Sequence, residues 1–260
     1  MNGWSLYVLT GLFGALVGSF LNVCIFRLPR GESIVWPGSR CPACGRAIGF
    51  YDNVPVLSYL WLQGRCRACH APISLRYPLV EAVNAAGYLG ILWFFGPGWQ
   101  AAMYAMLFSA LLVVAGTDLS HKIIPNVITL PGIVVGLVGA MTVLPVGWMN
   151  AILGVLIGGG ILWALAWASP YLFGKEGMGG GDIKLLAMVG AFLGWKSALL
   201  TIMIGSLAGS IVGIILIGLR VIKRDEYIPF GPFLVLGALL SMFFAHPILD
   251  WYQGLLNPSY

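Results

Sequence analysis

The sequence predicts an all-α polytopic membrane protein with about eight transmembrane helices and a small cytoplasmic, cysteine-bearing module between the first two. Three observations predict it. First, 59% of the 260 residues are hydrophobic and only 9% are charged, with a mean hydropathy of +0.91. That lies far outside the range of soluble domains. Second, apolar runs recur along the chain, most of them long enough to cross roughly 30 Å of hydrocarbon. Third, residues 27–77 interrupt the pattern. This stretch is polar, rich in turn residues and holds seven arginines. It is too long for a simple connection and reads as a small folded module.

The first span runs from Ser5 to Phe26. It has no basic stretch before it and no small-residue cleavage site near its end, so it reads as a retained span and not a cleaved signal peptide. Its Gly18-Ser-Phe-Leu-Asn22 run combines small residues with a buried Asn, a pattern that favours close helix contact. Cys24, in the same span, reads as a small buried apolar side chain. Further spans are expected near 78–96, 101–117, 127–145, 150–173, 183–197, 198–220 and 230–250, separated by Pro-Gly, Gly-Trp and charged breaks. The sixth is short, barely a dozen apolar residues. Its entry at the glycines 177–181 reads as bent, re-entrant backbone, which is tolerated only where protein or water covers it.

The net charge of +5 matters through its placement. The basic residues flank spans instead of forming one long surface, which argues against a nucleic-acid partner. The positive-inside rule puts the 27–77 module in the cytoplasm. Threading eight spans then places both termini outside. Lys122, Lys175, Lys184, Arg220, Lys223 and Arg224 fall inside, and of the 14 basic residues only Lys196 falls outside. The same threading brings Asp118 and Asp182 to one depth at the cytoplasmic face.

Those aspartates are the candidate catalytic pair. A carboxylate at a membrane boundary is costly and is a functional hypothesis by default. Asp182 closes the run Gly177-Met-Gly-Gly-Gly-Asp182, whose glycines let the backbone bend and another chain approach. Two carboxylates sharing a low-dielectric site do not readily both ionise, so one is an acid while the other is a base. The base activates water and the acid protonates an amide carbonyl. Two other readings stay open. The aspartates could be flank charges paired with Lys122 and Lys184, although only the i,i+4 pair Asp118–Lys122 faces correctly on a helix. They could also carry ions or protons, although no internal repeat supports a transporter. A membrane scaffold with a zinc-stabilised loop is a further, non-enzymatic alternative.

Cys41-Pro-Ala-Cys44 and Cys66-Arg-Ala-Cys69, with 21 residues between the pairs, have the form of two zinc knuckles. Four thiolates complete a tetrahedron with no open position, as a structural site requires. A cytoplasmic location disfavours disulfides. His70 reads as a bystander. Glu81 is either an interfacial partner of Arg76 or part of a polar site facing the module. His121 reads as a loop residue near Asp118. His246 and Asp250 carry no assigned role.

Together these motifs carry a resemblance. In chain order they are Gly-Ser-Phe-Leu-Asn-Val, the two CxxC knuckles, Arg76-Tyr-Pro-Leu-Val-Glu81, Asp118 with Ile124-Pro125-Asn126, and Gly179-Gly-Gly-Asp182. From about residue 10 to 235 the chain resembles the bacterial type IV prepilin leader peptidase/N-methyltransferase family, including its type II secretion members. Gly179–Asp182 fits the GxGD pattern of intramembrane aspartyl proteases. The resemblance implies a bifunctional enzyme of the bacterial inner membrane. It would cut the basic leader from prepilins and pseudopilins at the cytoplasmic face, then methylate the new N-terminus from S-adenosylmethionine. It further implies that Asp118 and Asp182 are catalytic, that Cys41, Cys44, Cys66 and Cys69 are the family's cytoplasmic cysteines, and that residues 1–77 serve methylation and 78–260 proteolysis. Glu32, Asp52, Glu176, Asp225 and Glu226 are candidates to attract the basic leader. No Rossmann-like glycine fingerprint is present, and about 50 residues cannot hold a doubly wound sheet. The methyl-transfer site is therefore expected between the module and the membrane.

Overall fold

The computed structural model of the protein describes residues 3–174, 179–221 and 228–256. Gly177 and Met178 of the glycine run lie outside these residues, as do Lys175, Glu176, Lys223, Arg224, Asp225 and Glu226. All regular structure among the described residues is helical: α1 (Gly3–Arg27), α2 (Leu57–Trp61), α3 (Arg76–Phe95), α4 (Trp99–His121), α5 (Asn126–Thr142), α6 (Trp148–Phe173), α7 (Gly180–Gly218) and α8 (Gly231–Leu256). Among the described residues five helices (α1, α3, α4, α6 and α7) are long and apolar enough to cross a membrane, and α5 and the 231–245 part of α8 are shorter apolar helices. Trp4, Leu12, Phe13, Leu16 and Phe20 of α1 are exposed. In lipid such a surface is favourable, because a helix satisfies its own backbone and presents only apolar side chains.

The chain clusters into two compact units, residues 1–117 and 118–260. In the first, α1 and α3 cross closely through small residues. A methyl group on Gly14 would lie 2.9 Å from the Ala85 Cα, and one on Gly18 would lie 2.7 Å from the Glu81 Cα. Polar side chains bind the same crossing. The Asn84 amide donates to the Gly14 carbonyl (2.8 Å), and the Asn22 amide donates to the Tyr77 carbonyl (3.0 Å). This is the helix contact expected from the Gly18–Asn22 run.

In the second unit α7 is the central element. Its first half is buried almost continuously, from Leu185 through Phe192. α6 meets it where Gly154 and Gly190 press backbone to backbone, leaving no room for a side chain on either. The expected sixth and seventh spans are joined in one run, broken at Gly194, whose φ of 81° and ψ of 174° are non-helical. The break therefore falls two residues before Lys196, at a residue that adopts positive φ at no steric cost. The segment before it spans roughly 14 residues, or about 21 Å. It is buried from Leu185 through Phe192, and its start at Gly180 is ordinary helix following an extended Gly179 (φ −76°, ψ 141°).

Candidate active site and metal centre

Asp118 lies in the last turn of α4 and Asp182 in the first turn of α7. Each is only 4% exposed. They are close enough for the charge of Asp118 to act on Asp182, so the structure brings together the two carboxylates singled out in the sequence. Their supports are backbone groups. The Gly231 N–H, opening α8, donates to Asp118 Oδ2 at 2.9 Å. Gly231 leaves no space beside that oxygen, since a methyl group there would lie 2.6 Å from it. The Asp182 N–H donates to the Gly179 carbonyl at 3.2 Å. Asp182 Oδ1 is buried and has no hydrogen-bond partner among the described residues. A buried acceptor in that state is free to bond a water or a substrate group.

The Ile124-Pro125-Asn126 loop clasps the start of α7. A methyl group on Gly181 would lie 2.8 Å from Ile124 Cβ, so Gly181 is small in order to seat that side chain. Among the described residues nothing lies within 4 Å of the same position on Gly180, which leaves one face of the turn open to them. Lys184 does not pair with Asp182. Its ammonium donates to Asn126 Oδ1 at 2.8 Å, which removes that half of the flank-charge alternative. His121 ends α4, and its Nδ1 is buried without a partner among the described residues. Gly231 went unnoticed in the sequence. The only signal for it was its place between Phe230 and Pro232 at the entry to the last span.

The two CxxC segments fold as near copies. Gly45 N–H donates to the Cys41 carbonyl and His70 N–H to the Cys66 carbonyl, both at 2.9 Å. Isolated antiparallel bridges, Arg40 with Ala47 and Arg65 with Pro72, close the two turns. Gly45 and His70 occupy matching left-handed positions, with φ of 70° and 56°. His70 is thus a turn residue of its knuckle, outside the sulfur cluster. The four Sγ atoms of Cys41, Cys44, Cys66 and Cys69 lie within 4.8 Å of one another, and Cys41 and Cys69 are 3.8 Å apart. Zinc–sulfur bonds of ~2.3 Å set tetrahedral sulfurs about 3.8 Å apart, whereas a disulfide needs ~2.05 Å. The donor set and spacing therefore fit zinc. The electrostatics fit as well. Amides of Cys69 and Ala68 donate to the Cys66 sulfur and bring its thiol down to about 6. The Ala71 amide favours the Cys69 thiolate, yet desolvation and the three neighbouring sulfurs outweigh it and push that thiol up to about 11. Four thiolates do not coexist so closely without a cation.

In the first unit a cleft of about 1150 Å³ opens between α1, the start of α3 and the cysteine module. Glu81 lies on its wall and is 8% exposed. Glu81 Oε2 accepts the Val56 N–H at 2.8 Å, while Arg76 turns away to the Gly116 carbonyl. Of the two sequence readings of Glu81, the polar site facing the module is the one observed.

Two family models match the chain. The bacterial peptidase A24 N-terminal domain covers residues 12–95, and the type IV leader peptidase family covers 105–214. Among curated proteins, a prepilin leader peptidase/N-methyltransferase of Aeromonas hydrophila is 37% identical over 96% of this chain and 94% of its own. One from Pseudomonas aeruginosa is 38% identical over 94% and 92%, and one from Burkholderia pseudomallei is 37% identical over 91% and 84%. No solved structure matches. With buried aspartates at the ends of two helices, a four-cysteine cluster, and likeness over nearly its whole length, the chain belongs to the type IV leader peptidase family.

Proposed function

We propose that this protein cleaves prepilins with Asp118 and Asp182 and then N-methylates the amine that cleavage produces, with S-adenosylmethionine as methyl donor. The observation that carries the peptidase reading is the buried Oδ1 of Asp182, without a partner among the described residues, within the reach of the charge of Asp118. One carboxylate takes a proton from water as its oxygen attacks the scissile carbonyl. The other gives a proton to the carbonyl oxygen, and the amine then leaves protonated. The Gly231 amide keeps one Asp118 oxygen occupied and fixes the carboxylate's rotation. The open face at Gly180 leaves room for an extended peptide.

The names of the relatives support the substrate and the second activity. Zinc in the cysteine site would brace the module, because all four positions are filled by sulfur. The arginine-rich module supports a cytoplasmic placement for it and for the aspartates, in the bacterial inner membrane with both termini outside. Residues 1–77 then serve methylation, completed by the start of α3, and the rest of 78–260 serves proteolysis. Of the acidic residues proposed to attract the leader, Asp52 is engaged by Arg67 at 2.7 Å, which leaves Glu32 the better candidate among the described residues. Charge reversal at Glu32 should raise KM and weaken its salt dependence.

The deciding experiment is cleavage of a detergent-solubilised prepilin by the wild type, Asp118→Asn and Asp182→Asn, with and without labelled S-adenosylmethionine. Both variants should remain folded and lose cleavage, and label should enter only mature product. Cleavage near the wild-type rate by either variant would remove that aspartate from the mechanism and return the flank-charge or transport readings.

A further inference from the structure

Resting on methyl transfer as proposed above, we infer that the cleft over Glu81 seats the N-terminal ammonium of the cleaved chain, and that Glu81 removes its proton before methylation. The Glu81 carboxylate is on a membrane helix, more than nine-tenths buried, and faces a cleft large enough for a peptide end and a nucleoside-sized co-substrate. Its ties are the Val56 N–H and the Ser19 hydroxyl, and among the described residues no cationic side chain offsets it. A buried carboxylate without a cation is costly. A cation brought by a bound molecule would offset that cost.

The backbone is shaped for it. Val56 is β-branched, yet it holds φ at 60° and ψ at −49°, a conformation such residues rarely adopt. That strain aims its N–H at Glu81 Oε2. Strained backbone of this kind persists where surrounding structure enforces it, often at ligand clamps. Besides Glu81 the cleft is lined by Phe26, Tyr51 and Tyr59 and by Arg27, Arg46 and Arg67. Aromatic faces suit a flat base, and guanidinium groups suit a carboxylate.

An ammonium fits Glu81 better than a sulfonium, because it brings N–H donors to the unoccupied acceptor sites. The chemistry also demands a base. An α-amino group has a pKa of about 7.7–8.0, so at neutral pH it is mostly protonated and lacks a lone pair. Glu81 takes that proton. The freed lone pair bonds to the donor's methyl carbon as the C–S bond breaks, its electrons returning to sulfur. The product is a secondary N-methyl ammonium and a neutral thioether.

The test uses the full-length protein in detergent and two probes: a mature pilin N-terminal peptide with a free amine, and its N-acetyl form. Wild type should bind the free amine at least tenfold more tightly than the acetylated peptide, and Glu81→Gln should abolish the preference. In the coupled assay, methyl groups per mature chain should fall about 100-fold or more in Glu81→Gln, the usual weight of a general base. If the preference survives while binding of S-adenosylmethionine, but not of its neutral thioether product, weakens, Glu81 faces the sulfonium and the proposal is wrong. Should the variant not fold, wild type decides. Carbodiimide coupling of the free-amine peptide should join its N-terminus to Glu81, and coupling to Glu32 or Asp52 alone would overturn the inference. If wild type adds no methyl to mature product, the methyl-transfer reading itself fails.

Discussion

Replacing Gly231 with Ala isolates the geometry of Asp118, one of the two carboxylates proposed to be catalytic, from the stability of the fold. The added methyl would lie 2.6 Å from Asp118 Oδ2 and 3.1 Å from its Cγ, against 3.4 Å for ordinary contact. The oxygen must therefore retreat by about 0.8 Å, stretching its hydrogen bond from the Gly231 N–H. The yielding atom is the end of a side chain, so the structural cost is small. Gly231 does not have a positive φ, and Ala is the better helix former at the start of α8. We expect a stability change under about 1 kcal/mol, of either sign. Catalysis is less forgiving, since a misplacement of about 1 Å costs roughly 100-fold. The variant should cleave prepilin about 30–100-fold more slowly in kcat at nearly unchanged Tm. The assay is a cleavage time course at saturating substrate, with Gly160→Ala as control because no described residue lies within 4 Å of that position. A folded Gly231→Ala enzyme within threefold of wild type would refute the claim that this contact sets the position of Asp118.

Three further outcomes follow from the same structure. Wild type should carry one zinc per chain by metal analysis, and Cys44→Ser or chelation should remove it, abolishing methylation while sparing cleavage. His70→Gly should keep its zinc and lose none of the module's thermal stability, because glycine accepts the φ of 56° that histidine holds under strain; loss of metal would make His70 a ligand. Gly154→Ala should destabilise the protein by about 1–3 kcal/mol in a denaturant titration, as overpacking at a backbone crossing does, whereas Gly160→Ala should be nearly neutral.

The helices were legible because lipid-length apolar runs leave few alternatives. The cysteine site was legible because two ligands per tight turn is a local pattern. Each of these is written in neighbouring residues. What the sequence could not show is where distant backbone groups converge. Gly231 lies 113 residues from Asp118, and its contribution is an N–H that every non-proline residue possesses. Lys184 was placed by spacing near Asp182, yet it bonds Asn126, 58 residues away. Glu81 stood undecided between Arg76 and the module, because a strained turn at Val56 supplies its partner and no propensity anticipates that turn.

The glycines near the aspartates therefore divide by physical role. Gly181 is small to admit Ile124, Gly231 to admit Asp118, and Gly190 to admit the backbone at Gly154. Among the described glycines there, Gly180 has no described neighbour within 4 Å. A flexible loop carrying Asp182 would lose orientation between turnovers. A helix start buried from Leu185 through Phe192 holds it in one place at no further entropic cost during reaction. On that account, precision at Asp182 depends on how α7 is packed. Gly136, which seats Phe192 and Ala191, should when enlarged to Ala lower kcat by more than its loss of stability explains. A fall in activity matched by an equal fall in folded protein would instead mean that α7 is only a core helix and that Asp182 is positioned by the loop before it.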